Sequence, residues 1–220
     1  MFDSFLPFQI HLMKVPLTIV YTAPRQGDTG FEERCNKAGL NSICVNHASD
    51  FARYPHAGLY IDAGFDGTFV TSDVPILIHC PALPFSRMPL APANSARFCA
   101  WPGFWERETW EIAAQPTSGG FFETKLALAG IKALQVADIA GLISPRILCT
   151  IINEAAYTLA DGIANARDID TAMKLGTNYP VGPAEWGRKI GYTEVKSVLE
   201  SMALENKRYL PHAGLQQLTG

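Results

Sequence analysis

The chain lacks any apolar run long enough to span a bilayer, and no stretch of it reads as a membrane segment. It also lacks a Lys/Arg cluster that would track a phosphate backbone. With a formal net charge of −3, it is not expected to bind nucleic acid. The five cysteines, Cys35, Cys44, Cys80, Cys99 and Cys149, are odd in number and without metal-ligand spacing. That argues against a disulfide framework or a metal site and points to reduced thiols in a cytoplasm. The opening MFDSFLPFQIHLMK has no basic leader and no small-residue cleavage site, so it does not read as a signal peptide. It is either an added arm, or Met13 is the true start. Internal repeats and low-complexity tracts are missing too.

What is there is a globular composition, 48% hydrophobic and 18% charged over 220 residues. That is enough for one large domain or two modest ones. Leu17 to Ala23 (LTIVYTA) is a short β-branched run that predicts a buried strand. Thr29-Gly-Phe-Glu32 has capping-box spacing for a helix through Ala38 that ends at Gly39, and Asn41 to Asn46 predicts a second strand. Further strands are expected at Gly58–Asp62, Ile76–Cys80, Arg97–Ala100, Trp110–Ala114 and near Leu134–Val136, with a helix over Phe121–Gly130. After Gly141 everything reads as helix: a long one from about Leu142 to Ile163, then four shorter ones. The switch from strand-rich to helix-only sequence near Asp138 predicts two domains, 13–138 and 139–220.

The densest signal is DIDTAMKLGTNYPVGPAEW, Asp168 to Trp186. Asn165 can cap a helix here, with Asp168 three residues on. Ile169, Ala172, Met173 and Leu175 supply an apolar face, and Gly176 ends the helix. Gly182-Pro183 opens the next helix, with proline where its missing N–H costs nothing. Together with IINEAAYTLADG before it and GYTEVKSVLESM after it, this region closely resembles the C-terminal domain of the 3-hydroxyacyl-CoA dehydrogenases. The match runs from Gly141 to Leu218.

The N-terminal half resembles the same family more weakly. GFEERCNKAGLNSICVN sits where the family has its first helix and second strand, and AGLYIDAGFDG where a strand ends in an acidic turn. The resemblance implies a fold of α/β plus all-α type, a Rossmann-like domain followed by the family's helical domain. The first is shortened, because Asn46 to Ala57 leaves no room for the segment the family inserts there.

The resemblance also implies NAD, a 3-hydroxyacyl thioester substrate, and a histidine base oriented by a glutamate. A dinucleotide turn needs GxGxxG so that the backbone can approach the pyrophosphate. Here it is TAPRQGDTG, in which Gly27 and Gly30 remain, Pro24 removes a donor, and Asp28, Glu32 and Glu33 oppose a diphosphate that Arg25 alone would attract. Asn46 stands where an acidic residue should hold the ribose. Ordinary NAD binding is therefore not expected.

Glu111 matches the family's catalytic glutamate. The histidine position falls on Cys99, Phe98 or Ala100, the substrate asparagine on Pro145, and the serine near Ala82 or Leu83. His79, closing its strand on the substrate edge, is either a relocated base for Glu111 or a strand-end histidine bonded to a carbonyl. Cys99 reads as a small buried residue before a nucleophile. The turn WPGFW, Trp101 to Trp105, either floors an acyl pocket or packs the domains together. His47 and His56 read as exposed, and Asn153-Glu154 as helix-interface bonding.

A homodimer through the helical domain is expected from the resemblance, using the faces of Ile143–Leu159 and Val195–Met202. Three functions stay open: a dehydrogenase by lineage with hydride transfer lost or weak, a non-catalytic acyl-CoA-binding protein, or a dimeric scaffold.

Overall fold

The computed structural model describes residues 16–25, 30–118 and 120–219. Seven strands form one sheet: β1 (Thr18–Thr22), β2 (Asn41–Val45), β3 (Leu59–Asp62), β4 (Ile76–His79), β5 (Ser95–Phe98), β6 (Thr109–Ala114) and β7 (Lys132–Gln135). Their spatial order is β2-β1-β3-β4-β5-β6-β7. The first five run parallel; β6 is antiparallel to β5 and parallel to β7. Two helices accompany the sheet, α1 (Phe31–Lys37) and α2 (Phe121–Leu128).

The central parallel strands β1, β3 and β4 are mostly apolar because both faces of the sheet are covered there, whereas the edge strand β2 is partly exposed. Ile19, Tyr21, Ile61 and Leu77 pack with Phe31, Phe122 and Leu126 on one side. Val20, Tyr60, Ile76 and Ile78 pack with Phe51, Val74 and Met88 on the other. This is the Rossmann-like half. Where a helix would usually cross from β2 to β3, a short 3-10 turn, Ala48–Arg53, does the work. Phe51 from that turn stacks on Tyr60 at 4.6 Å. The Tyr60 hydroxyl lies 2.8 Å from the Phe51 carbonyl and 2.9 Å from that of Tyr54. Phe51 from this turn thus helps, with Val74 and Met88, to cover the sheet face that a helix would otherwise cover.

The helical half consists of α3 (Ser144–Ala160), α4 (Ala166–Gly176), α5 (Pro183–Ile190) and α6 (Tyr192–Ala203). Three α-helices follow the long one rather than four; the rest of the chain forms two 3-10 turns, Lys207–Tyr209 and Leu215–Thr219. The long helix is shorter than its hydropathy suggested. Leu142 has φ 50, which no helix tolerates, and Gly162 has φ 66 beyond its other end.

Asn165 caps α4 as expected, its side chain accepting from the Asp168 N–H at 3.0 Å. The apolar face of α4 needs correction: Ala166 and Ile169 are buried, while Ala172 and Leu175 face solvent and Asp170 is buried instead. Asp170 accepts from the N–H groups of Ala184 (2.8 Å) and Glu185 (3.1 Å), capping α5 from the preceding helix. The face of α6 that the sequence offered to a second copy is spent inside the chain: Val195, Val198, Leu199 and Met202 pack in the same core as Leu148, Ile152 and Ala156 of α3.

The two halves meet through the aromatic turn. Trp101 and Phe104 belong to the helical core, whereas Trp105 lies in the sheet core and stacks on Trp110 at 5.1 Å. Gly103 sits against Trp186, where an added Cβ would stand 2.7 Å from the indole. Trp101, Phe104 and Trp105 thus pack the halves together, while Trp101 and Pro102 also line a small cavity.

Candidate functional site

In this topology β1 is flanked by β2 on one side and β3 on the other, so the chain leaves the carboxyl ends of these strands in opposite directions. That opens a crevice. Pro24 and Arg25 follow β1; Gly27, Asp28 and Thr29 lie outside the described residues. Gly30 has φ 84 and leads into α1, whose first turn carries Glu32 and Glu33. Gly30 lines an outer groove with Arg34 and Glu108, away from Asn46. Asn46 lines a polar cavity of about 330 Å³ with Thr22, His47, Asp62 and Asp66. The two described glycine and asparagine candidates therefore do not share a cavity.

The polar cavity holds a pair that the sequence did not announce. The Thr22 hydroxyl donates to Asp62 Oδ1 at 2.9 Å and accepts from the Gly64 N–H at 2.9 Å. Asp62 is only 3% exposed, and burial raises its pKa from 3.8 to about 6 despite the Thr22 bond. The folded protein thus holds this proton to higher pH than the unfolded chain does. The Asp62 contribution to stability is complete below about pH 4 and is lost as pH rises through 6. Asp62→Asn keeps an acceptor for Thr22 and cannot ionise. It should match the parent near pH 4 and exceed it by about 2–3 kcal/mol at pH 7.5 in urea unfolding. Equal stabilities at both pH values would refute this.

His79, at the end of β4, lines a smaller cavity of about 50 Å³ between the halves. Its Nδ1 accepts the Ala100 N–H at 3.0 Å, which is why β5 stops at Phe98 rather than running to Ala100. A neutral ring bonded in this way carries its proton on Nε2. Burial pushes the His79 pKa down to about 4, Arg25 adds to the effect, and the Phe98 carbonyl opposes it. Both bonds tie the imidazole to backbone at the strand end, to the Ala100 N–H and to the Phe98 carbonyl. Across the cavity, Arg25 Nη1 lies 3.4 Å from Glu194 Oε1 of α6, and its Nη2 donates to the Phe65 carbonyl at 3.1 Å.

Glu111 is elsewhere. From β6 its carboxylate accepts the N–H groups of Ile143 (2.8 Å) and Ser144 (3.0 Å), and the Ser144 hydroxyl as well. It is the N-terminal cap of α3, satisfying donors that the helix cannot pair itself. Glu111 lines a pocket with Cys99 and Arg107, and no hydrogen bond joins it to His79. Burial holds the Cys99 thiol well above the usual thiol range, so it stays protonated. Ser144 escaped the sequence reading, although Ser-Pro at a helix start is itself a capping signal.

Asn153 bonds to the non-helical segment after α6 rather than across a helix interface: Nδ2 donates to the Leu210 carbonyl at 2.9 Å and Oδ1 accepts from the His212 N–H at 2.8 Å, while the Glu154 side chain is exposed. His47 and His56 are exposed. Among the described residues no helix is long and apolar enough to cross a membrane.

Comparison with known proteins gives the helical half a lineage. Residues 141–219 match the family model described as 3-hydroxyacyl-CoA dehydrogenase, C-terminal domain. A 3-hydroxyadipyl-CoA dehydrogenase of Escherichia coli K12 is 42% identical over 90 residues, 40% of this chain and 19% of that protein. A 3-hydroxybutyryl-CoA dehydrogenase of Clostridioides difficile is 35% identical over 112 residues, 49% of this chain and 40% of that protein. The matched stretch thus spans less than half the length of these curated relatives. The crystal structure of (S)-3-hydroxybutyryl-CoA dehydrogenase from Ralstonia eutropha superposes with a TM-score of 0.72, covering 91% of this chain and 92% of that one. At 17% identity that likeness speaks for the fold alone.

Proposed function

We propose that this chain, whose helical half belongs to the 3-hydroxyacyl-CoA dehydrogenase family, holds a small acyl ligand between its halves and has lost hydride transfer. The observation that carries the reading is the fate of Glu111. Its carboxylate is bonded to the start of α3, and His79 lines a different cavity. A general base needs a lone pair facing the substrate and a pKa near the working pH. The His79 Nδ1 lone pair is occupied and its pKa lies at about 4. The residue is a strand-end histidine bonded to backbone and is poorly suited to remove a proton.

The dinucleotide that the resemblance implies does not fit the residues present. Arg25, the cation at the turn after β1, is engaged by Glu194 and the Phe65 carbonyl. Glu32 and Glu33 already occupy the first turn of α1, where a diphosphate would meet their charge. Purified protein supplied with NADH and an acetoacetyl thioester should show no oxidation above background, and Glu111→Gln should change nothing. Fast turnover that disappears in Glu111→Gln would overturn the reading.

The homodimer contact belongs, on this reading, to α3 and α4 rather than to α6. Ile143 and Ile147 lie one turn apart and are 46% and 55% exposed, and Leu175 is 83% exposed. An apolar groove of about 240 Å³ lined by Ile147, Ile151 and Tyr179 continues the surface. The chain should sediment as a dimer and Ile147→Asp as a monomer. A monomeric parent chain would dismiss the surface.

A further inference from the structure

We propose that the apolar groove between the aromatic turn and α3 binds a medium-chain carboxylate, with Arg107 holding the head and the groove taking the alkyl tail. The proposal rests on the reading that the chain holds an acyl ligand between its halves, and it names where that ligand lies and what its head is. Buried Phe104 and Leu148 form the floor of the groove, half-buried Ile151 and Trp186 its walls, and exposed Ile147 and Pro180 its rim. Ile147 and Ile151 lie one turn apart on α3, whereas Phe104 comes from the turn after β5, so elements of both halves contribute. The volume of about 240 Å³ takes about eight carbons at roughly 30 Å³ each, about the share of a water molecule in the liquid. Ile147 is shared with the surface assigned to a second copy, so a chain in the groove lies beside that contact.

Arg107 decides the head. Its Nε donates to the Gly103 carbonyl at 2.9 Å, and its guanidinium carbon lies 3.9 Å from the centre of the Phe104 ring. These two contacts fix the orientation of the planar fork. Unlike Arg25, this cation is not spent inside the chain. Among the described residues, neither Nη has a hydrogen-bond partner and no carboxylate pairs with the guanidinium. The acids near it in sequence are placed elsewhere. Glu106 Oε2 accepts the Gly103 N–H at 2.8 Å, Glu108 lines the outer groove with Gly30, and Glu111 caps α3. The other cation beside Trp186, Lys189, is paired with Glu185 at 3.1 Å. Two Nη groups free of protein partners, beside apolar walls, match a carboxylate that accepts two parallel N–H bonds. An amide or alcohol answers only part of that fork, and an amine would be repelled.

Isothermal titration of the whole chain with octanoate, octanamide and butyrate tests the assignment. Octanoate should bind saturably, octanamide at least about tenfold more weakly for want of charge, and butyrate at least about tenfold more weakly for want of buried methylenes. Arg107→Gln should weaken octanoate about tenfold and leave octanamide unchanged, a split that a purely apolar surface would not show. Ile151→Trp should fill the groove and weaken both. Arg107 is exposed, so Arg107→Gln should fold. Absent octanoate binding, equal affinity for the amide, or octanoate binding untouched by Arg107→Gln would each overturn the proposal. A titration with an acetoacetyl thioester separates the two claims. If the thioester binds and octanoate does not, the groove site falls and the reading of an acyl ligand between the halves stands. If neither binds, both fall.

Discussion

Arg97→Met should cost about 3–5 kcal/mol, a large part of the stability of a protein this size. Arg97 has no exposed surface although it is charged, and it sits in β5, an interior strand of the sheet. Its Nε donates to Asp138 Oδ1 at 2.7 Å, Nη1 to the Cys80 carbonyl at 2.8 Å, and Nη2 to the Ile139 carbonyl at 3.0 Å. Asp138 Oδ2 in turn accepts the Phe85 N–H at 2.8 Å. One guanidinium therefore fastens the end of β4 to the segment that leads into the helical half. Methionine would fill the volume and leave two carbonyls and a carboxylate without their donor. Asp138→Asn would be milder, because Arg97 keeps both carbonyls. Urea unfolding measures the difference; an Arg97→Met midpoint near that of the parent would contradict this account of how the halves are joined.

Gly182→Ala should destabilise by about 2–4 kcal/mol through overpacking and broken caps, although nothing is unusual in its backbone angles. Gly182 has φ −73 and ψ 160, which any residue can adopt. The constraint is space: an added Cβ would stand 2.2 Å from Asp170 Oδ1 and 2.5 Å from Asp170 Cβ. Asp170 cannot retreat cheaply, because its carboxylate holds the N–H groups of Ala184 and Glu185 and meets Arg188 Nη2 at 3.3 Å. The two effects are one contact seen from both ends. Gly182→Ala combined with Asp170→Ala should therefore cost clearly less than the sum of the single changes. Strict additivity in thermal or urea unfolding would show that the clash is relieved elsewhere.

The sequence was most readable where signals are local. The LTIVYTA strand, the Asn165 cap and the Gly182-Pro183 helix start each depend on neighbours a few residues away, and each stands where its pattern put it. The family resemblance of the helical half rested on the same kind of signal. What stayed hidden was the choice of distant partners. Glu111 was recognisable as a site carboxylate, but its turn towards Ser144 depends on a residue 33 positions on. Arg25 reaches Glu194 across 169 positions, and Arg97 reaches Asp138 across 41. Periodicity showed that α6 is amphipathic without showing which surface its apolar face would meet. The exposed Ile147 and Leu175 show that the face left open is on other helices.

The central claim is that a dehydrogenase-type helical domain here serves ligand binding without a working dinucleotide site. Sequential isothermal titration of the purified chain, first with NADH and then with acetoacetyl-CoA, tests it most directly. The account predicts no heat with NADH and a saturable signal with the thioester. Micromolar binding of NADH would contradict it and return the chain to the dehydrogenases with a rebuilt cofactor turn.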